Sequence, residues 1–158
     1  MRYSILPTPV GDLLLTAGDD GALTAVHLPN RHPDTGDWTR DDAHLAPARA
    51  ELTEYFAGER TAFDLTLRPA GGAFQRRVWD ALREIPYGET TSYGELARRL
   101  GAPGSARAVG AANGANPLAI VVPCHRVIGA SGALTGYAGG LECKRALLDL
   151  EVGRAALV

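Results

Sequence analysis

Residues 92–113 read SYGELARRLGAPGSARAVGAAN, and this stretch decides how the C-terminal half folds. Ser92-Tyr93-Gly94-Glu95 has the form of a capping box, with Ser92 as N-cap and Glu95 at N3, so a helix is predicted through Leu100. Gly101-Ala102-Pro103-Gly104 stops it, and Ser105 is positioned to cap a second helix reaching about Asn113. Two short helices around a tight turn make a helix-turn-helix pattern. The second helix carries mostly Ala and Gly, with Arg107 as its only long polar side chain. Small residues suit close packing against a neighbouring helix. They also suit close approach to a nucleic acid, where one guanidinium can enter a base stack as a wedge.

Working outward, Phe74, Val78, Leu82 and Ile85 recur at helical spacing, and Pro86-Tyr87-Gly88 ends that helix. A last helix runs from about Leu141 to Glu151, before Gly153. The other half reads differently. Tyr3–Leu6, Leu13–Ala17 and Leu23–Leu28 are strand-like runs separated by Gly11-Asp12 and Asp19-Asp20-Gly21, a meander of hairpins. A polar segment from Pro29 to Asp42 is expected to be a mobile loop, Leu45–Phe56 a helix, and Phe63–Leu67 a last strand before the linker Pro69-Ala70-Gly71-Gly72. The expected architecture is α+β: residues 1–70 form a small α/β domain with an antiparallel sheet. Residues 71–158 form a mainly helical, winged-helix-like domain.

The 158 residues are 46% hydrophobic and 22% charged, ordinary values for a globular chain. No apolar run approaches a membrane span and no signal peptide opens the chain, so a cytoplasmic protein is expected. The net charge of −2 is unevenly spread. Residues 1–70 carry 6 Lys/Arg against 11 Asp/Glu, a balance of −5, and residues 71–158 carry 10 against 7, a balance of +3. A polyanion would therefore meet the C-terminal half, although an excess of three charges does not by itself define a nucleic-acid surface.

The chemistry concentrates in Ile120-Val121-Val122-Pro123-Cys124-His125-Arg126-Val127-Ile128-Gly129-Ala130. The β-branched run predicts a buried strand that stops at the proline and presents Cys124 where a rigid element opens into a loop. A water or a tight turn linking thiol and imidazole would raise the thiolate fraction of a group whose free pKa is about 8.5. A metal centre is not expected, because no Cys-x-x-Cys exists and Cys143 and the other histidines lie at unsuitable spacings. Cys143 reads as structural, and a disulfide between the two cysteines is not expected in a reducing compartment. Lys144, Leu148 and Glu151 share one helix face. Glu151 sits at a C-terminal helix end, where the dipole disfavours a negative charge by about 0.3–1 kcal/mol. Orienting an imidazole would account for it; an exposed surface glutamate is the plainer alternative.

Pro123-Cys124-His125-Arg126-Val127-Ile128 resembles the active-site signature of the O6-alkylguanine-DNA alkyltransferases, which accept an alkyl group on their own cysteine. The likeness extends over Phe74–Trp79, Ile85–Tyr93, Ala106–Gly110, Asn116-Pro117 and Tyr137–Leu141 with Lys144 and Leu147-Leu148, nearly all of residues 73–151. The resemblance implies a monomeric DNA-repair protein without cofactor that binds duplex DNA through the minor groove and flips out the damaged base. O4-alkylthymine is a candidate second substrate. In the roles it implies, Cys124 attacks the alkyl carbon in a single, irreversible displacement, and His125, oriented by Glu151 and acting through a water, takes the thiol proton. Tyr93 pushes the phosphate and donates a proton toward purine N3. Asn116 shapes the turn before the cysteine. Arg107 fills the vacated stack, on a helix whose Ala106, Ala108 and Gly110 approach the DNA. The Cys124 and Val127 carbonyls receive the guanine amine, the Ala138 amide meets O6, Tyr137 walls the pocket and Lys144 supports it. Arg126 would point away, toward the acidic N-terminal domain.

Two departures stand out. No cysteine precedes position 124, so the N-terminal zinc of some relatives is not expected. Ala138 and Ala119 replace the serine and proline of some members beside the pocket, which bears on bulky adducts. Two rival readings are a thiol hydrolase working through an acyl-enzyme and a sensor that binds alkylated DNA without accepting the group. The sensors of this kind lack the cysteine that this chain keeps.

Overall fold

The computed structural model describes residues 1–129, 132, 137 and 140–153. The N-terminal hairpins form as their turn signals predict. Strands β1 (Arg2–Leu6), β2 (Leu13–Ala17) and β3 (Leu23–His27) pair antiparallel, with Leu6 opposite Leu13 and Leu14 opposite His27. The sheet gains a fourth strand, β4 (Thr39–Arg40), parallel to β1, giving the order β3-β2-β1-β4. β4 lies inside the segment expected to be loop throughout, which also holds a 3-10 turn at Pro29–Arg31. Two residues are too few to show a strand period; β4 exists because Thr39 and Asp41 donate to the Met1 and Tyr3 carbonyls (3.1 and 2.9 Å).

Helix α1 (Ala46–Phe56) buries Ala48, Leu52 and Tyr55, spaced i, i+4, i+7. The strand expected at Phe63–Leu67 is reduced to a single bridge between Leu67 and Leu23. The outer edge of β3 is instead shared. Leu23 meets that segment, and Val26 donates to the Pro117 carbonyl at 2.9 Å, beside a bridge to Leu118. An edge strand that would be open is thus closed by the loop leading to Cys124.

In the helical C-terminal domain, α2 (Ala73–Leu82) packs Val78, Trp79 and Leu82 inward, and the Trp79 indole donates to the Ala112 carbonyl at 2.9 Å. Gly71 is required there, since a Cβ would stand 2.4 Å from the Trp79 ring. After β5 (Thr91–Ser92), α3 (Tyr93–Arg99) and α4 (Ala106–Gly114) form the expected helix pair. Ser92 caps α3 by accepting from the Glu95 amide (3.1 Å), but the Glu95 carboxylate goes to Arg98 (2.6 Å), so the box is one-sided. Ser105 makes no side-chain cap: its φ of −96° and ψ of 23° leave the extended geometry that aims a cap hydroxyl at the helix. β6 (Val127–Ile128) pairs parallel with β5, and α5 (Leu141–Glu151) closes the fold. One apolar core runs through both halves, from Leu6 and Leu15 through Leu52 and Val78 to Leu96, Leu118 and Leu147. Among the described residues no helix is long and apolar enough to cross a membrane.

Candidate active site

The apolar run before Cys124 is buried but is not a strand. Val122 donates back to Leu118 (2.9 Å), Val121 to Ala119 (2.8 Å) and Cys124 to Val122 (2.8 Å), and Ile120 adopts φ +72°. A β-branched residue in the left-handed region is strained, and the surrounding core has to hold it there. The hydrophobicity of this run therefore reports burial in a tight loop rather than strand pairing. Asn116 ties the loop, donating to the Val122 carbonyl (2.9 Å) and accepting from the Leu118 amide (3.0 Å). Asn113, at the end of α4, donates to the Cys124 carbonyl (3.4 Å).

Cys124 opens a 3-10 turn, Cys124–Arg126, and is only 6% exposed. It borders a cavity of about 190 Å³ walled by Val26, His27, Asn113, Asn116, Ala119 and Tyr137. Burial pushes the thiol up, against the opposing pull of the Asn116 amide, the Lys144 charge and the Tyr137 hydroxyl. The expected rise in resting thiolate is therefore corrected: desolvation outweighs the polar neighbours, and the sulfur carries its proton at rest.

Behind the cysteine, the turn sends His125 and Arg126 to the same carboxylate. His125 Nε2 lies 2.5 Å from Glu151 Oε2, with both side chains buried. Arg126 Nε donates to Glu151 Oε1 at 2.7 Å and its Nη2 to Oε2 at 3.1 Å, while Nη1 donates to the Ile85 carbonyl at 2.7 Å. Arg126 thus does not reach out to acidic N-terminal residues. It is buried, its guanidinium 5.7 Å from the centre of the Tyr87 ring, because a carboxylate this deep requires a cation beside it. Tyr55 donates to Oε2 at 2.6 Å, and the Gly88 amide, at φ +82°, donates to Oε1 at 3.3 Å. Burial alone would raise the Glu151 carboxyl, but hydrogen bonds from His125 and Arg126 outweigh it and hold it at about 2. Burial lowers the His125 pKa, with Glu151 acting against it. The resting pair is a neutral imidazole donating Nε2–H to a carboxylate. His125 Nδ1 is buried without a hydrogen-bond partner among the described residues, leaving its lone pair to accept a proton.

The remaining residues fall in two groups. Lys144 is buried and donates to the Val127 carbonyl at 2.6 Å. The Tyr137 hydroxyl is buried and makes no regular hydrogen bond among the described residues. On the helix pair, Arg107 and Ala108 are exposed, and Ala106 and Gly110 are half-buried. A Cβ at Gly110 would stand 3.7 Å from the Tyr93 ring, so Tyr93 lies over the middle of α4. Ala138 lies outside the described residues. Tyr55, Gly88 and Asn113 were missed. Gly88 had a signal, as the glycine of the Pro86-Tyr87-Gly88 break, whereas Tyr55 had none, standing 96 positions from Glu151.

Two family models cover nearly the whole chain. The 6-O-methylguanine DNA methyltransferase DNA-binding domain matches residues 73–153, and the ribonuclease-like domain of the same proteins matches residues 1–69. The chain belongs to the 6-O-methylguanine DNA methyltransferase family. A relative from Mycolicibacterium paratuberculosis, named methylated-DNA--protein-cysteine methyltransferase, is 56% identical over 153 residues, covering 96% of this chain and 92% of its own. One of the same name from Methanosarcina acetivorans is 50% identical, covering 96% and 98%. Among solved members, Mycobacterium tuberculosis OGT in complex with DNA superposes with a TM-score of 0.92 at 54% identity, covering 99% of this chain and 96% of its own.

Proposed function

We propose that this protein repairs alkylated DNA by moving the alkyl group from guanine O6 to its own Cys124, once per molecule. The supporting observation is the buried thiol at a cavity, preceding an imidazole whose Nε2 lies 2.5 Å from Glu151 and whose Nδ1 has no hydrogen-bond partner among the described residues. As the Cys124 proton passes to His125, directly or through a water, the sulfur forms a bond to the alkyl carbon and the bond from that carbon to O6 breaks. The departing guanine takes a proton at N3, given by Tyr93, which recovers it from solvent. The imidazolium formed is stabilised by the ionised Glu151, following the logic of a base and its orienting carboxylate. A thioether has no leaving group at neutral pH, so the thiol is not regenerated.

The finer assignments belong to the same proposal. The chain divides at residues 70/71 into the two domains, acts as a monomer in the cytoplasm and needs no cofactor. The α3–α4 pair docks in the minor groove, with Ala106, Ala108 and Gly110 admitting the backbone and exposed Arg107 entering the stack as the base swings out. Asn116 holds the Cys124 loop, and Tyr137, Val127, Ala138 and Lys144 complete the base pocket. O4-alkylthymine is a further substrate to assay.

The test is to incubate the protein with duplex DNA containing O6-methylguanine, digest it, and weigh the peptide bearing Cys124. One added CH2 on that peptide, at one per molecule, with guanine restored in the DNA, is the expected result. Repeated turnover would support a hydrolase instead, and binding without a mass change a sensor.

A further inference from the structure

We infer that Tyr55, on α1 of the N-terminal domain, is a positioning residue for alkyl transfer, its hydroxyl fixing the carboxylate oxygen that holds His125. The inference rests on the function proposed above. Tyr55 donates to Glu151 Oε2 at 2.6 Å, and that same oxygen receives His125 Nε2 at 2.5 Å. Five donors converge on Glu151 among the described residues. His125 Nε2 and two Arg126 nitrogens come from the turn carrying Cys124, the Gly88 amide from the turn before β5, and the Tyr55 hydroxyl alone from the N-terminal domain. A carboxylate offers about four lone-pair directions, so this one is saturated and cannot rotate without losing a partner.

Packing does not explain the hydroxyl. The Tyr55 ring already contacts Phe56, Phe63 and Tyr87, with centroids 5.2, 5.6 and 6.2 Å away. The oxygen adds a desolvation cost unless it is bonded, and its acceptor is the one that orients the base. Its effect on the chemistry has a definite sign. Each donor to Oε2 draws off negative charge that would otherwise favour a protonated His125. Without the Tyr55 hydroxyl, Glu151 pulls harder on the imidazolium, and the base stays protonated to higher pH. The other ionisable groups facing this pair are Arg126 from the 3-10 turn, Lys144 from α5 and Tyr87 from the turn after α2. None of them takes the place of the missing donor on Oε2 except Arg126 Nη2, already bound there at 3.1 Å.

The test is the pH profile of single-turnover transfer from duplex O6-methylguanine by full-length Tyr55→Phe and wild-type protein. Loss of the hydroxyl is expected to move the acid limb up by about half to one pH unit. On that limb the rate then falls about three- to tenfold, with the alkaline plateau and duplex affinity within about twofold of wild type. Replacing Tyr55 alone by 3-fluorotyrosine keeps the ring and strengthens the donor, so the limb should move the opposite way, and this variant decides the matter if Tyr55→Phe does not fold. Acid limbs superimposable on wild type overturn the inference, whatever happens to Tm. Wild-type protein that transfers nothing overturns the proposed function and this inference together, whereas transfer with an unmoved limb overturns the inference alone.

Discussion

The two halves of the molecule differ in how deep their most buried ion pair lies. In the N-terminal sheet domain every ion pair among the described residues keeps some contact with solvent, most of all Arg2 and Asp19 at 3.4 Å, where the Asp19 side chain is 88% exposed. In the helical C-terminal domain one carboxylate, Glu151, is sealed with Arg126 and His125, its own side chain 1% exposed. Surface pairs gain little because water screens both partners. A buried pair contributes little net stability as a unit, yet it is costly to break, since the surviving charge has nowhere to go. The C-terminal domain carries that liability where Glu151 holds the His125 imidazole.

Substitutions on the two sides should separate sharply. Cys124→Ala should abolish transfer while keeping duplex affinity, which a single-turnover assay beside a binding titration would check; any residual alkyl transfer would place the nucleophile elsewhere. Glu151→Gln leaves Arg126 buried without its counter-charge and should cost about 3–5 kcal/mol in urea unfolding, as well as most of the transfer rate. The pH dependence has a definite sign. The Glu151 carboxyl is held at about 2 in the folded protein, below its ordinary value of 4.5, so its stabilising contribution is complete above about pH 5 and is lost as pH falls toward 2. Acid titrations of Tm should show that loss in wild type and a weaker one in Glu151→Gln. Arg107→Ala should slow repair of duplex DNA about tenfold or more while barely altering attack on free O6-methylguanine; equal losses on both substrates would remove its role as a wedge. Asp19→Ala, on the solvent side of the comparison, should leave Tm and transfer unchanged within error.

The same contrast explains what could be read from the chain. The helix pair, the hairpins and the grouping of Cys124, His125 and Glu151 were legible because caps, turns and a local motif carry them. The misplaced Glu151 charge at the end of α5 lies buried against the His125 imidazole instead of on the surface. What the sequence hid was set by tertiary contact. Two-residue β4 has no period of its own, and Ile120–Val122 is apolar through burial while its backbone turns at φ +72°. Arg126 was misread because its partner lies on another helix. Tyr55 looked like one more core aromatic of α1, since nothing near it in sequence announces the carboxylate it bonds.

At the centre of the proposed mechanism stands a sulfur that is protonated at rest and gives up its proton to His125 only during transfer. Thiolate ultraviolet absorbance, taken as the difference between wild type and Cys124→Ala across a pH titration of the DNA-free protein, measures this directly. No thiolate from Cys124 should be seen at neutral pH, with ionisation delayed into the alkaline range. A Cys124 ionisation step at or below neutrality would contradict it, and would make His125 a bystander to a sulfur already charged.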